Sequence, residues 1–112
     1  MSQAAINHEQ LLQRCMGNLQ LAERILGRFE VSVSTDIDQL ISSINSQSNE
    51  EIRQPAHRIK GACANVGAEP LLEIVTELEV LAQSNEIAAP SEWIERIRCE
   101  QGRIVAVRNV SS

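Results

Sequence analysis

Apolar residues recur every three or four positions without a break through the middle of this chain, at Ala22, Ile25, Leu26, Phe29, Val33, Ile37, Leu40, Ile41 and Ile44. That spacing is the helical period, so it predicts one long amphipathic helix ending near Asn45. A stripe of this length needs a partner surface, and the rest of the sequence supplies it in helical segments. After the polar linker NSQSN, Ser48 and Glu51 form a capping box that opens a third helix. Its apolar positions are Ile52, Ala56, Ile59, Cys63 and Val66, in four-three-four-three spacing, before Gly67 offers a left-handed stop. Pro70 suits the first turn of a fourth helix, whose stripe is Leu71, Ile74, Val75, Leu78, Leu81 and Ala82.

The two ends of the chain are less regular. Asn7 and Gln10 form an N-terminal capping box, and Leu11, Leu12, Cys15 and Met16 predict a short first helix running to Met16. Gly17 then stops it and Asn18 caps the next. Beyond the SNEIAAP loop a fifth helix is expected to start near Pro90 or Ser91, with Trp93, Ile94 and Ile97 on its apolar face. Glu100, Gln101 and Gly102 interrupt that face, and the following RIVAVRNV is rich enough in β-branched residues to resemble a strand. No second strand exists for it to pair with, so helix is the reading. Pro55 inside the third helix removes the bond to the Glu51 carbonyl, ordinarily a loss of about 3 kcal/mol, and predicts a kink or a tightened first turn. The expected fold is all-α: an antiparallel four-helix bundle with a short N-terminal helix across one end.

At 112 residues the chain has room for one domain, spanning 1–112. Fifteen acidic against ten basic residues give a net charge of −5, and the basic residues form no dense block, which disfavours nucleic acid as a partner. Trp93 and Phe29 are the only aromatic residues, too few for a stacking platform and better read as packing. No apolar run approaches the length of a membrane span, and the N-terminus has no signal-peptide pattern, so a cytoplasmic location away from membranes is expected. Cys15, Cys63 and Cys99 are widely spaced and odd in number, which argues against a disulfide framework or zinc site and for small apolar fillers on helices.

Chemistry concentrates on the third helix. At 100° per residue, its core stripe centres on Ile52, Ile59 and Cys63, while His57, Lys60, Gly61 and Ala64 lie roughly 80 to 180° away. Arg53, four residues before His57, falls on the same side, so one face carries an imidazole, two cations and then little side-chain bulk. A neutral imidazole is a competent nitrogen nucleophile at pH 7. A phosphoryl group placed on it brings roughly two negative charges for Lys60 and Arg53 to meet, with Arg53 the smaller contributor. A glycine inside a helix costs about 1 kcal/mol relative to alanine, so Gly61, one turn after His57, calls for a packing or access reason. His8, which follows the Asn7 cap, reads as an exposed first-turn residue with no candidate ligand one turn away.

The segment AHRIKGACANVGAEPL, residues 56–71, resembles the H-x-x-K-G signature of histidine-containing phosphotransfer domains. The likeness extends through the A-N-V-G close of that helix to the Leu78–Glu79 pair in the next, and the inferred helix order covers nearly the whole chain. The resemblance implies that His57 is the phosphoacceptor, that Lys60 balances the phosphoryl charge and that Gly61 permits docking of a receiver domain. Members of the family relay phosphate between aspartates of response-regulator receivers, so the implied partners are receiver domains and a hybrid histidine kinase.

Ala64 and Arg53 are expected to border the docking face, and Met16, Leu12 and Ile25 form an apolar docking patch near His57 if the first helix crosses that end of the bundle. The glycines are all isolated, so no nucleotide loop is present and phosphorylation from ATP by this chain is not expected. No carboxylate constellation for Mg²⁺ is apparent, so no cofactor of its own is expected and the metal belongs to the receiver's acidic pocket. A monomer suits a carrier that alternates between partners, and Met1 with short polar ends suggests a free-standing protein. The competing class is a helical adaptor or dimerisation module without chemistry, in which the same face is polar surface. A metal-dependent bundle enzyme would need paired Glu and Glu-x-x-His ligands, which the chain lacks.

Overall fold

The computed structural model describes residues 3–111, which form five helices in the order α1 (His8–Arg14), α2 (Leu19–Asn45), α3 (Asn49–Val66), α4 (Glu69–Gln83) and α5 (Pro90–Ser111). Met1, on which the expectation of a free-standing protein rests, lies outside the described residues. Helices α2 to α5 pack in a ring, each against the next in sequence and α5 back against α2, while α1 touches α2 and α3. Short connections between successive helices enforce the antiparallel arrangement. The result is the all-α four-helix bundle with an N-terminal helix across one end.

Local signals set the helix ends. Asn7, Asn18 and Ser48 each accept a backbone N–H at the third helical position through the side-chain oxygen. Gly67 closes α3 at φ 75°, and a Cβ built there would lie 3.1 Å from Cβ of Asn7. Both the left-handed backbone and the close approach of the N-terminal segment therefore require glycine at 67. The same junction ties α1 to α3: Asn7 N–H donates to the Gly67 carbonyl at 2.8 Å, and Arg14 Nη1 to the Asn65 carbonyl at 3.2 Å.

The predicted stripes of α2, α3 and α4 face the interior. Val33, Ile37, Leu40, Ile44, Ile52, Ile59, Cys63, Leu71, Val75 and Leu78 are almost wholly removed from solvent, while Ile25, Ile74 and Leu81 are half-buried against them. Burial pushes the Cys63 thiol up to about 12, with the Glu100 charge adding to the shift, so this thiol stays protonated. Because Ile59 is fully enclosed, Ile59→Ala is expected to cost about 2 to 5 kcal/mol through lost transfer energy and a residual cavity. A thermal melt unchanged by this substitution would contradict the rotation of α3.

Pro55 does not interrupt α3, which runs as α-helix from Asn49 to Val66 with no tightened first turn. The buried Ser43 of α2 compensates part of the lost bond. Its hydroxyl lies 3.3 Å from the Glu51 carbonyl, the acceptor that Pro55 leaves without a helical donor, and 3.1 Å from the Gln39 carbonyl one turn back in its own helix. One hydroxyl proton is shared between these two acceptors. Ser43→Ala is thus expected to destabilise the bundle by about 1 kcal/mol, and a Pro55→Ala background should shrink that loss by restoring a donor to Glu51. Equal losses in both backgrounds would show that Ser43 serves Gln39 alone.

Three expectations are corrected. Helix α1 ends at Arg14, not Met16: Cys15 is its C-cap, and Met16 (φ 55°) and Gly17 (φ 80°) turn the chain through left-handed conformations. Cys99 is no core filler but lies exposed on α5, and buried Cys15 fills the core from a cap position. The α5 stripe is not broken at residue 100. Trp93, Ile97, Glu100 and Ile104 are all buried, with Glu100 at a core position where Arg103 meets its carboxylate at 2.8 Å. A paired charge can hold such a position, and the apparent interruption is a core residue of unexpected type. The RIVAVRNV segment is helical.

Candidate functional site

Helix α3 is pinned from both sides by charge. Arg58 reaches Asp36 of α2 at 3.0 Å, and Lys60 reaches Glu79 of α4, also at 3.0 Å. His57 precedes Arg58 by 100° around the helix, so the two ion pairs fix the rotation that turns its imidazole outward. His57, Gly61 and Ala64 are exposed along this outer face, and Arg53 joins them one turn before His57. Space is open beside the ring: a Cβ built at Gly61 meets nothing within 4 Å. A depression around the first half of α3 is lined by Arg53, Gln54 and His57, by Gln39 and Ser42 of α2 on one side and by Glu79 and Gln83 of α4 on the other.

The two cations differ in their engagement. Lys60 is half-buried and held by Glu79, whereas the Arg53 side chain makes no ion pair or hydrogen bond among the described residues. Glu79 belongs to the Leu78–Glu79 pair noted in the sequence, where nothing marked it as the partner of Lys60. Only the bundle geometry brings residues nineteen positions apart together.

The apolar candidates gather elsewhere. Met16 is 93% exposed in the turn between α1 and α2, while Leu12 and Ile25 are half-buried, Ile25 against the core. Since α1 is tied to Asn65 and Gly67, this group sits toward the C-terminal end of α3, and Asn65 is about 12 Å along the helix from His57. Leu19 and Leu21, exposed in the first turn of α2, extend the apolar surface there. His8 is exposed at the first position of α1. Phe29 and Trp93 are buried in the core. Among the described residues no cluster of three or more His, Cys, Asp or Glu could hold a metal ion, and no helix is long and apolar enough to cross a membrane.

An exposed helical histidine with a cation one turn on either side and a glycine gap beside it is the arrangement expected of a surface phosphoacceptor. A family model described as the Hpt domain matches residues 24–108, which include the whole of α3 and α4. The chain belongs to the Hpt domain family. Its histidine phosphotransfer class, anticipated from residues 56–71, therefore rests on most of the chain.

The fold of this Hpt domain is similar to the crystal structure of histidine-containing phosphotransfer protein B (HptB) from Pseudomonas aeruginosa PAO1, with a TM-score of 0.85 over 98% of this chain and 96% of that one. The two share 20% sequence identity, so the likeness is one of fold. No curated protein matches the chain.

Proposed function

We propose that this Hpt domain carries a phosphoryl group on His57, accepting it from one receiver-domain aspartate and returning it to another. The observation that carries the reading is the placement of His57: exposed on α3, fixed in rotation by the Arg58–Asp36 and Lys60–Glu79 pairs, and open on the Gly61 side. In the forward step an unprotonated ring nitrogen attacks phosphorus, the N–P bond forms, the P–O bond to the receiver's aspartate breaks, and the carboxylate keeps the electron pair. The proton on the other ring nitrogen is released to solvent. Return to a second aspartate reverses each change. Positioning and charge neutralisation suffice for such in-line transfer, and a shared interface provides both.

Within this reading Lys60 and Arg53 supply positive charge to the phosphoryl oxygens, Gly61 and Ala64 leave room for the receiver, and Met16, Leu12 and Ile25 offer it an apolar foothold at one end of the bundle. Mg²⁺ arrives with the receiver, whose acidic pocket holds it. The 112 residues act as one monomeric, cytoplasmic domain that alternates between a hybrid histidine kinase and its regulators. Incubation with a phosphorylated receiver domain tests the proposal: label that is acid-labile, base-stable and confined to His57 is expected. A protein that binds receivers and takes up no label is an adaptor.

A further inference from the structure

Resting on that reading, we infer that Arg103 of α5 is a positioning residue for receiver docking: with the buried Glu100 it straps the N-terminal segment to the bundle and so holds the apolar foothold of α1 in place. Helix α1 does not place itself. It is seven residues long, too short to be stable alone. Among the described residues it packs on α2 and α3 but not on α4 or α5, and it buries only Leu11. The segment before it supplies the anchoring. Ala5 and Ile6 are buried, Asn7 N–H donates to the Gly67 carbonyl, and the Gln3 side-chain amide donates to Glu69 at the start of α4. Arg103 closes the strap from α5: its Nη2 donates to the Gln3 carbonyl, while its Nη1 meets the two carboxylate oxygens of Glu100 at 2.8 and 3.2 Å.

Packing alone does not account for Glu100. It stands on the buried stripe of Trp93, Ile97 and Ile104, where an apolar side chain would enter the core without desolvating a charge. Replacing a buried ion pair by apolar residues is commonly neutral or stabilising, so the pair is poorly explained as a device for stability. What it adds is direction. A guanidinium presents its donors in a fixed planar fork, so with one nitrogen held by Glu100 the other is aimed, here at the main chain of residue 3. A buried polar network with every member satisfied fixes one arrangement of the groups it joins. Leu12 on α1 and Met16 just past its end then keep one position beside the half-buried Ile25 of α2, and a receiver meets a preformed surface.

The test is the double variant Glu100→Leu/Arg103→Ala, because Arg103→Ala alone strands a buried carboxylate. The double variant continues the apolar stripe of α5 and is expected to melt close to wild type. With the strap open, the amides of Leu11 to Cys15 should exchange with deuterium faster. If the foothold is then correctly placed in about a tenth of the molecules, the KM for a phosphorylated receiver domain rises about tenfold. The transfer rate at saturating receiver should match wild type. So should labelling of His57 by phosphoramidate, whose N–P bond breaks as the ring N–P bond forms and ammonia leaves, since so small a donor needs no foothold. Met16→Asn removes the most exposed apolar side chain of the foothold at a left-handed position that asparagine accepts, and it should raise the same KM. A KM raised by Met16→Asn and not by the double variant overturns the inference and leaves the docking surface standing, whereas a KM raised by neither overturns both. Phosphoramidate labelling that falls together with the melting temperature of the double variant makes the pair merely structural and also overturns the inference. Wild-type protein that takes no label from phosphoramidate or from a phosphorylated receiver overturns the carrier function itself.

Discussion

Replacing His57 with Gln is expected to abolish phosphoryl acceptance completely while leaving the melting curve almost where it was. The chemical half of this expectation follows from the nucleophile: Gln offers an amide nitrogen whose lone pair is delocalised, so no N–P bond forms. The structural half follows from position. His57 is exposed, its side chain makes no hydrogen bond among the described residues, and Gln is at least as good a helix former. A surface exchange of this kind stays within about 0.5 kcal/mol. Label uptake by the variant would assign the acceptor to another residue, and His8, exposed on α1, is the remaining histidine to examine. A marked fall in melting temperature would instead mean that the imidazole contributes to packing, contrary to its exposed position.

Much of this arrangement was legible before any coordinates, for a physical reason that can be traced residue by residue. The stripes of α2, α3 and α4 are regular because each helix buries one face against two neighbours, and a period of 3.6 then has to appear in the sequence. Caps at Asn7, Asn18, Ser48 and Gly67 were readable because their chemistry is local, involving a donor or acceptor within three or four residues. The outward face of α3 followed from its core stripe by subtraction.

What escaped the sequence is what depends on a side-chain partner or a backbone conformation that periodicity does not register. Glu100 looked like the end of a stripe because a carboxylate in a core position makes sense only with Arg103 folded back onto it. Pro55 suggested a kink or a tightened first turn because the Ser43 hydroxyl that meets the orphaned Glu51 carbonyl comes from a different helix. The partner of Lys60 was not legible because Glu79 is distant in sequence. Met16 looked helical because periodicity does not register the left-handed turn it makes with Gly17. In each case local pattern reported the residue type correctly and lacked the partner that decides its role.

The substitution that best separates docking from folding is Gly61→Gln. On stability, the structure leaves little ambiguity: a Cβ at 61 meets nothing within 4 Å, the position is exposed, and α3 is helical on both sides. Replacing glycine in such a setting removes backbone freedom from the unfolded chain, so the variant should melt at or above wild type, by about 0.4 to 1 kcal/mol. On transfer, the expectation has the opposite sign. The Gln side chain projects from the open side of the His57 ring, where a receiver must bring its aspartyl phosphorus to about 3 to 3.5 Å, and a displacement of about 1 Å costs on the order of a hundredfold in rate. Acceptance of phosphoryl from a small donor such as phosphoramidate should survive, because such a donor needs no broad approach to the helix. A variant that is more stable, labelled normally by the small donor and slow with a receiver would locate the defect in docking. Unchanged transfer with a receiver would show that the partner approaches His57 from the Arg53 side, leaving the glycine without a part in recognition.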